Sequence, residues 1–266
     1  MTSPVLALTV PCYNEAKRLD EGAFLEYAST HPSVSLLFVD DGSTDATPEI
    51  LERLRQAAPQ SISTCRLETN QGKASAVRVG ILEGIQRGAE LVGFWDADLS
   101  TPLDAVDDIQ ALLCSHPEME IVLGSRVMLM GRDIQRQGWR HYLGRVFATA
   151  VSITLDLPVY DTQCGAKIFR VNKAITSVFS TPFRNPWVFD VEVLERYLSL
   201  PVPPGSLPRR SRVYELALRQ WHHATGSKLR PLNYLHAAFD LARAWRGRSA
   251  WVRRDTAGGP QGPPIQ

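Results

Sequence analysis

The stretch LVGFWDADLSTP, residues 91–102, decides the fold of this chain. Its apolar first part, Leu91–Trp95, is typical of a buried strand. Asp96 and Asp98 follow one residue apart, and Thr101-Pro102 then predicts a helix start with threonine as the N-cap and proline at the first helical position. Open α/β sheets bind ligands at the carboxyl ends of their strands. We therefore expect the two carboxylates to lie at a ligand-binding edge.

Asp96 and Asp98 carry the oxygen donors that a hard divalent cation requires. Mg²⁺ or Mn²⁺ prefers such ligands and keeps coordination positions for phosphate oxygens. The pair therefore predicts a metal clamp for a diphosphate. The alternative is a solvated turn, because two aspartates at this spacing also occur by chance.

The composition describes a folded protein without a general affinity for nucleic acid. The chain has 266 residues, 44% of them apolar, which is enough for one large α/β domain or two small ones. The net charge is only +1. It is unevenly distributed, since residues 205–254 contain 11 Lys and Arg but 2 Asp and Glu. This asymmetry predicts an anionic partner for the C-terminal part.

The cysteines and the apolar runs bear on the location of the protein. The four cysteines, Cys12, Cys65, Cys114 and Cys164, are widely spaced and follow no metal-ligand pattern. A strand-like run, residues 5–10, stands where a signal peptide would lie. We therefore expect free thiols and a cytoplasmic location. No run reaches about 18 uninterrupted apolar residues, so we predict no transmembrane helix.

Strand and helix patterns alternate along the first 126 residues. The predicted strands are residues 5–10, 34–39, 61–69, 91–95 and 120–123. The predicted helices are residues 16–30, 47–57, 74–87 and 102–115. This alternation predicts an α/β fold with a mainly parallel central sheet and helices on both faces.

The second half of the chain is less regular. We predict helices over residues 140–155 and 190–200, strands over 168–171 and 212–218, and loops over 127–138, 201–208 and 221–228. One domain is expected over residues 1–230. A basic amphipathic helix, residues 231–254, would follow it. Residues 255–266, rich in glycine and proline, would form a disordered tail.

Polar turns follow the predicted strands in a fixed order. They are Val10-Pro11-x-Tyr13-Asn14-Glu15, Val39-Asp40-Asp41-Gly42-Ser43-x-Asp45, Asn70-x-Gly72-Lys73, Asp96-x-Asp98 and Gly124-Ser125-Arg126. This series resembles the family-2 glycosyltransferases, which have the GT-A fold. Three later segments resemble the dolichyl-phosphate glucosyltransferase and polyprenyl-phosphate glycosyltransferase branch. They are Asp161-Thr162-Gln163-Cys164-Gly165-x-Lys167-x-Phe169, Trp187-x-Phe189-Asp190-x-Glu192 and Trp221-x6-Lys228.

The resemblance implies a nucleotide-sugar donor, with UDP-glucose favoured over a GDP-sugar. The residues that would bind the nucleotide are Pro11, Tyr13, Glu15, Asp40, Asp41, Lys73, Asp96 and Ala97. Structural alternatives stay open for several of them. Glu15 is also explained by a role as a helix cap, and Asp41 by a role in an Asx turn. Lys73 is also explained as an ordinary surface lysine.

The resemblance also implies an acceptor site and names Asp98, Arg126 and Asp161 as the catalytic group. A guanidinium at Arg126 matches the oxygens of an acceptor phosphate; the alternative is a surface arginine. A phosphate monoester needs little base catalysis, so we expect Asp161 to position the sugar rather than remove a proton. Ser227 and Lys228 would close over the phosphates.

Two aspects of the pattern remain open. In the related mannose synthases a glutamine two positions after the second aspartate can join the metal, but this chain has Ser100 there. We therefore do not carry a third ligand over to this chain. Trp187 and Trp221 are as compatible with the core as with a closing loop.

The family inverts the anomeric centre, so the resemblance implies a β-linked glycosyl phospholipid and an enzyme that reaches a membrane surface. Residues 229–254 form a basic amphipathic segment that fits a bilayer interface, and residues 146–157 are a second candidate. The alternative is a helix that packs on the domain with a solvated basic face. We expect a protein peripheral at the cytoplasmic membrane face.

Two other functions fit parts of the pattern. One is a family-2 transferase that acts on a glycan or small-molecule hydroxyl, but the chain lacks the Glu-Asp and Gln/Arg-x-x-Arg-Trp signature of processive relatives. The other is a non-catalytic nucleotide-sugar binding protein. Retention of Asp96, Asp98, Arg126 and Asp161 together argues against that.

Overall fold

The computed structural model describes residues 5–134, 138–184, 186 and 188–222, with the side chains of 138–144 left undescribed. The chain divides into two compact units, Met1–Ser227 and Lys228–Gln266, and every described residue belongs to the first. The predicted basic helix 231–254 and the predicted tail 255–266 lie outside the described residues.

The described elements alternate between strands and helices, as the sequence predicts for the first half. The strands are β1 Leu6–Cys12, β2 Val34–Asp40, β3 Ile62–Arg66, β4 Leu91–Trp95, β5 Ile121–Ser125, β6 Asp133–Ile134, β7 Ala166–Arg170, β8 Val213–Ala217 and β9 Gln220–Trp221. The helices are α1 Glu21–Thr30, α2 Thr47–Ala57, α3 Lys73–Gln86, α4 Asp104–Ser115, α5 Gly138–Leu155, α6 Lys173–Ser180 and α7 Phe189–Ser199.

Seven of these strands form one sheet in the order β3-β2-β1-β4-β7-β5-β8. All neighbours are parallel except β7, which runs antiparallel to both β4 and β5. The predicted mainly parallel sheet is therefore confirmed. Because β7 is reversed, its first residue Ala166 lies opposite Trp95, the last residue of β4. The loop before β7 thus reaches the same edge as the carboxyl ends of the parallel strands.

The central strands owe their position to their apolar composition. Every residue of β4 is buried, as are all residues of β1 except Pro11. Parallel strands that are covered on both faces have such continuous apolar runs. The largest buried side chain, Trp95, has no exposed surface and donates its indole N–H to the carbonyl of Thr101 at 2.8 Å.

The predicted N-cap at Thr101 is wrong. Helix α4 begins at Asp104, and the residue before it, Leu103, makes no side-chain capping bond. Thr101 is buried, and its carbonyl is held by the Trp95 indole. Leu99 adopts a positive φ of 49°. The chain therefore turns tightly after Asp98, and the helix starts only when that turn is complete.

Three other differences concern short or capped segments. The predicted helix 16–30 begins only at Glu21, because the Asp20 carboxylate caps it by accepting the N–H of Ala23 at 3.0 Å. Helix α6 was not expected, although Asn172 caps it in the same way. The predicted loop 127–138 contains β6, which pairs with β9. Strands of two residues carry no periodic pattern that a sequence could reveal.

Within the described part of the chain, no helix combines the length and the apolar character that are needed to cross a membrane.

The packing around Gly93 gives a test of the sheet. A Cβ at this position in β4 would lie 2.6 Å from the carbonyl oxygen of Lys167 and 3.0 Å from the Ile168 side chain. The carbonyl belongs to the paired strand β7, so it cannot move without disturbing the sheet. We expect Gly93→Ala to lower the free energy of unfolding by about 1–3 kcal/mol, measured by urea denaturation.

The matched control is Gly22→Ala in α1. There the added Cβ would make an ordinary contact, 3.4 Å from the Asp20 carboxylate. Alanine is favoured over glycine in a helix by about 1 kcal/mol, so this variant should be at least as stable as the unmodified protein. Equal stability of the two variants would show that β4 and β7 are not packed as described.

Candidate active site

Asp96 is the first polar residue after β4, and glycine opposite it makes room for its side chain. The backbone N–H of Asp96 donates to the carbonyl of Gly165 at 3.0 Å. A Cβ at Gly165 would overlap the Asp96 carboxylate. Gly165 therefore leaves a space that the carboxylate fills, on the loop that leads into β7.

Lys73 brings a cation to this carboxylate. It is the first residue of α3, and its Nζ lies 2.5 Å from Asp96 Oδ1. Burial raises the pKa of Asp96, but Lys73, Lys167 and Arg126 together outweigh burial and hold that pKa below its usual value. Burial lowers the pKa of Lys73, yet Asp96 and then Asp190 bring it above its usual value. Both groups are therefore charged at neutral pH.

Asp98 is held on the same turn. Its Oδ1 accepts the backbone N–H of Ser100 at 3.0 Å, and its Oδ2 lies 3.6 Å from Arg18. Arg18 also contacts Glu15 at 2.5 Å. The guanidinium thus connects the turn after β1 with the turn after β4, a link that was not expected from the sequence.

The donor set fits a divalent cation with two protein ligands. The side chains of Asp96 and Asp98 keep 34% and 20% of their surface exposed, so both reach solvent. Ser100 is buried. Among the residues that the structure describes, no group of three or more His, Cys, Asp or Glu could hold a metal ion. Two carboxylates would leave positions for phosphate and water, the coordination that Mg²⁺ prefers.

Arg126 and Asp161 form a two-pronged ion pair at this edge. Arg126 follows β5, and its Nε and Nη2 donate to the two oxygens of Asp161 at 2.5 and 2.7 Å. The Asp161 side chain is only 7% exposed. Burial lowers the pKa of Arg126, but Asp161 more than compensates and raises it. The guanidinium also lies over the Trp221 ring, 5.3 Å from its centroid.

Asp40, the last residue of β2, and the adjacent Asp41 both accept hydrogen bonds from backbone groups of the protein itself. Asp41 accepts the backbone N–H groups of Gln71 and Gly72 at 2.7 and 2.8 Å, which fixes the turn before α3. Asp40 accepts the N–H of Ser43 at 2.9 Å and lies 3.3 Å from Arg66. Burial is the main cause that raises the pKa of Asp41. Asp41 therefore helps to position Lys73, and its predicted contact with the nucleotide stays a prediction.

The other predicted nucleotide residues surround the end of β1. Pro11 and Tyr13 are half-buried, and Glu15 is buried with its backbone N–H donating to Thr47 at 2.8 Å. The Ala97 methyl group lies in the hydrophobic core, which leaves only its backbone for the predicted contact with a nucleotide. Their roles in nucleotide binding stay predictions.

Three predicted residues cannot be placed, and two functional candidates were missed. Ser227, Lys228 and Trp187 lie outside the described residues. Arg18 was missed, although its spacing of three from Glu15 is typical of a local ion pair. Glu215 was also missed; its carboxylate accepts two backbone N–H groups of the Asp161 loop. The sequence does mark Glu215 in one way, because it is one of only two acidic residues in the basic stretch 205–254.

Comparisons with known proteins point to one family. The model of the family described as "Glycosyl transferase family 2" matches residues 8–176. A dolichyl-phosphate beta-glucosyltransferase of Drosophila melanogaster is 34% identical over 255 residues, 90% of this chain and 74% of that protein. One from Trichomonas vaginalis is 32% identical over 265 residues, 94% of this chain and 74% of that protein.

Solved structures with the same fold include two that contain UDP. Glucosyl-3-phosphoglycerate synthase from Mycobacterium tuberculosis, with Mn²⁺, UDP and glucosyl-3-phosphoglycerate, has a TM-score of 0.61 at 18% identity and covers 92% of this chain and 80% of its own. TarS of S. aureus with UDP has a TM-score of 0.53 at 20% identity, and the match covers 90% of this chain and 64% of the TarS chain. At these identities the likeness shows the fold.

The Arg126–Asp161 pair gives a test of the site geometry. Removing one partner of a buried pair leaves the other charge uncompensated, which costs about 3–5 kcal/mol, whereas replacing both is often nearly neutral. Arg126→Met should therefore destabilise the protein by roughly 3 kcal/mol. Adding Asp161→Asn should restore more than half of that loss, measured by urea denaturation. A double variant less stable than Arg126→Met would contradict the pairing.

Proposed function

This chain belongs to glycosyltransferase family 2, and on that premise we propose that it transfers glucose from UDP-glucose to a dolichyl or polyprenyl phosphate. The products would be UDP and a β-linked glycosyl phospholipid. The observation that carries the proposal is the joint position of two ion pairs, Lys73–Asp96 and Arg126–Asp161, at one edge of the sheet. Such an edge suits two phosphate-bearing substrates.

The donor side of the proposal rests on Lys73 and the strand-end turns. A lysine at a helix N-terminus, charged at neutral pH, is suited to a diphosphate because both its charge and the helix dipole favour anions. The names of the relatives, dolichyl-phosphate beta-glucosyltransferases, favour glucose as the sugar. The neighbours solved with UDP are compatible with a uridine nucleotide.

We propose that Asp96 and Asp98 hold Mg²⁺ or Mn²⁺. The bound metal would neutralise the charge that develops on the departing diphosphate. The protein's own contribution is to hold both carboxylates, partly exposed, on one turn. Gly165 supplies the space for Asp96, and the Ser100 N–H orients Asp98. The Mn²⁺ in the neighbouring synthase supports a divalent cation in this fold.

The acceptor side rests on Arg126. A phosphate monoester is already anionic near neutral pH, so its oxygen attacks without a strong base. Arg126 would bind that phosphate, and Asp161 would hold the guanidinium in place and orient the sugar. The phosphate oxygen forms a bond to C1 from the face opposite UDP as the bond from C1 to the UDP oxygen breaks. One such displacement inverts the anomeric centre.

Exposed apolar side chains beside Arg126 support a lipid acceptor. Met128, Leu129 and Met130, two to four residues after the arginine in the chain, are 58%, 51% and 102% exposed. Two residues of α5, Val146 and Ile153, are 68% and 75% exposed. Clusters of this kind mark contacts with proteins or membranes. We propose that this loop contacts the membrane that carries the acceptor and that the protein is peripheral there.

The decisive experiment is a release assay. The protein would be mixed with UDP-glucose, Mg²⁺ or Mn²⁺ and a short polyprenyl phosphate, and the freed UDP counted. Parallel reactions would contain GDP-mannose, a polyprenol without phosphate, or a glycan hydroxyl acceptor. We expect release that requires both the lipid phosphate and the metal. Release with the hydroxyl acceptor alone would contradict the proposal.

Asp98→Asn tests the metal role in the same assay. Each loss of about 1.4 kcal/mol of charge stabilisation slows the reaction tenfold, so we expect turnover to fall by at least about 100-fold. The fold should remain intact. The matched control is Asp104→Asn, an exposed aspartate at the start of α4, which should keep full turnover. Full metal-dependent turnover by Asp98→Asn would exclude the clamp.

A second variant tests the membrane contact. Met128→Ser/Leu129→Ser/Met130→Ser removes three apolar side chains, and at about 25 cal/mol per Å² of buried apolar surface this should weaken binding to anionic vesicles roughly tenfold or more. Turnover of a short, soluble prenyl phosphate should be unchanged. Leu207→Ser, 52% exposed before substitution, is the control. Unchanged sedimentation of the triple variant with vesicles would exclude this loop as the contact.

A further inference from the structure

Glu215 lies beside the loop that carries Asp161 and accepts hydrogen bonds from its backbone. Its Oε2 accepts the N–H of Tyr160 at 2.7 Å, and its Oε1 accepts the N–H of Asp161 at 2.6 Å. Charge-assisted bonds of this length are about twice as strong as neutral ones. One carboxylate therefore fixes two successive peptide groups of the loop that carries the Arg126 partner.

The position of Glu215 in the sheet connects it with both halves of that ion pair. It lies in β8, which pairs with β5, and its register partner there is Leu123. Arg126 comes directly after β5, three residues beyond Leu123. The same two strands thus set the distance between the arginine and the carboxylate that orients it. Glu215 lies beyond residues 8–176, the span that the family model matches.

The loop that leads to Asp161 borders a cavity. Leu157, Pro158 and Val159 line a cavity of about 200 Å³, together with residues of the edge strand that include Glu215. A loop that borders a cavity has space to move, since close packing is what normally prevents displacement. The two backbone N–H groups that donate to Glu215 therefore tie the loop to β8 at the side of the cavity.

We infer that Glu215 is a positioning residue for sugar transfer, which acts through Asp161 and Arg126 on the acceptor phosphate. This inference rests on the proposed function. The carboxylate itself does not touch the substrate in this account. It keeps Asp161 at the position from which both its oxygens reach Arg126, and it thereby fixes the guanidinium fork that binds the phosphate.

The test compares Glu215→Ala, Glu215→Gln and a control, Tyr214→Ala. Tyr214 is the preceding residue of β8, is 42% exposed and points to the other face of the sheet. A misplacement of about 1 Å at a reacting centre can cost 100-fold. We therefore expect Glu215→Ala to lower kcat/KM for the polyprenyl phosphate by about 10- to 100-fold. Glu215→Gln keeps one acceptor oxygen and should lose less.

Two further measurements separate positioning from a general structural role. The affinity for UDP, measured by titration calorimetry, should be unchanged, because the donor diphosphate binds on the Asp96 side. In an Asp161→Asn background, Glu215→Ala should cause no additional loss of kcat/KM, since both residues act on the same guanidinium. Additive losses, or a parallel loss of UDP affinity and thermal stability, would overturn the inference.

The outcome also distinguishes this inference from the proposed function. If the unmodified protein transfers no sugar to polyprenyl phosphate, the proposed function fails and the positioning role fails with it. If the unmodified protein is active and the Glu215 variants match Tyr214→Ala, only the positioning role is overturned.

Discussion

The pairing of each carboxylate with a cation is the interaction on which this site depends. Asp96, Asp98 and Asp161 share one edge of the sheet, and like charges disfavour each other's ionised form. The fold places one cation beside each carboxylate. Lys73 lies 2.5 Å from Asp96, Arg18 lies 3.6 Å from Asp98, and Arg126 lies 2.5 Å from Asp161. The site is therefore preorganised with both signs of charge fixed, which is what a reaction between two phosphate-bearing substrates requires.

The reversed strand β7 makes this arrangement possible. It lies between β4 and β5, so Asp96 after one strand and Arg126 after the other flank the loop that precedes it. The strand also carries Lys167, which has no exposed surface and pairs with Asp190 of α7 at 2.6 Å. Lys167 helps to lower the pKa of Asp96. The buried Lys167 ammonium behind the site thus adds to the positive field that keeps Asp96 ionised.

The structural features that the sequence predicts are those formed by neighbouring residues. Apolar runs locate the parallel strands, a strand end locates Asp96, and the Asn70-x-Gly72-Lys73 turn locates the start of α3. The parts it does not predict depend on contacts between distant segments. The turn after Asp98 displaces the predicted cap because Trp95 takes the Thr101 carbonyl. The reversal of β7 leaves no periodic trace, and Glu215 matters only because β8 pairs with β5.

The stereochemistry of the product tests the central claim most directly. Glucose labelled with ¹³C at C1 would be supplied as UDP-glucose with a polyprenyl phosphate, and the purified product would be examined by ¹³C and ³¹P NMR. The account predicts a C1 that is coupled to phosphorus and has the β configuration, because attack occurs opposite the α-linked UDP. An α-linked product, or a C1 bonded to a hydroxyl oxygen without phosphorus coupling, would contradict it.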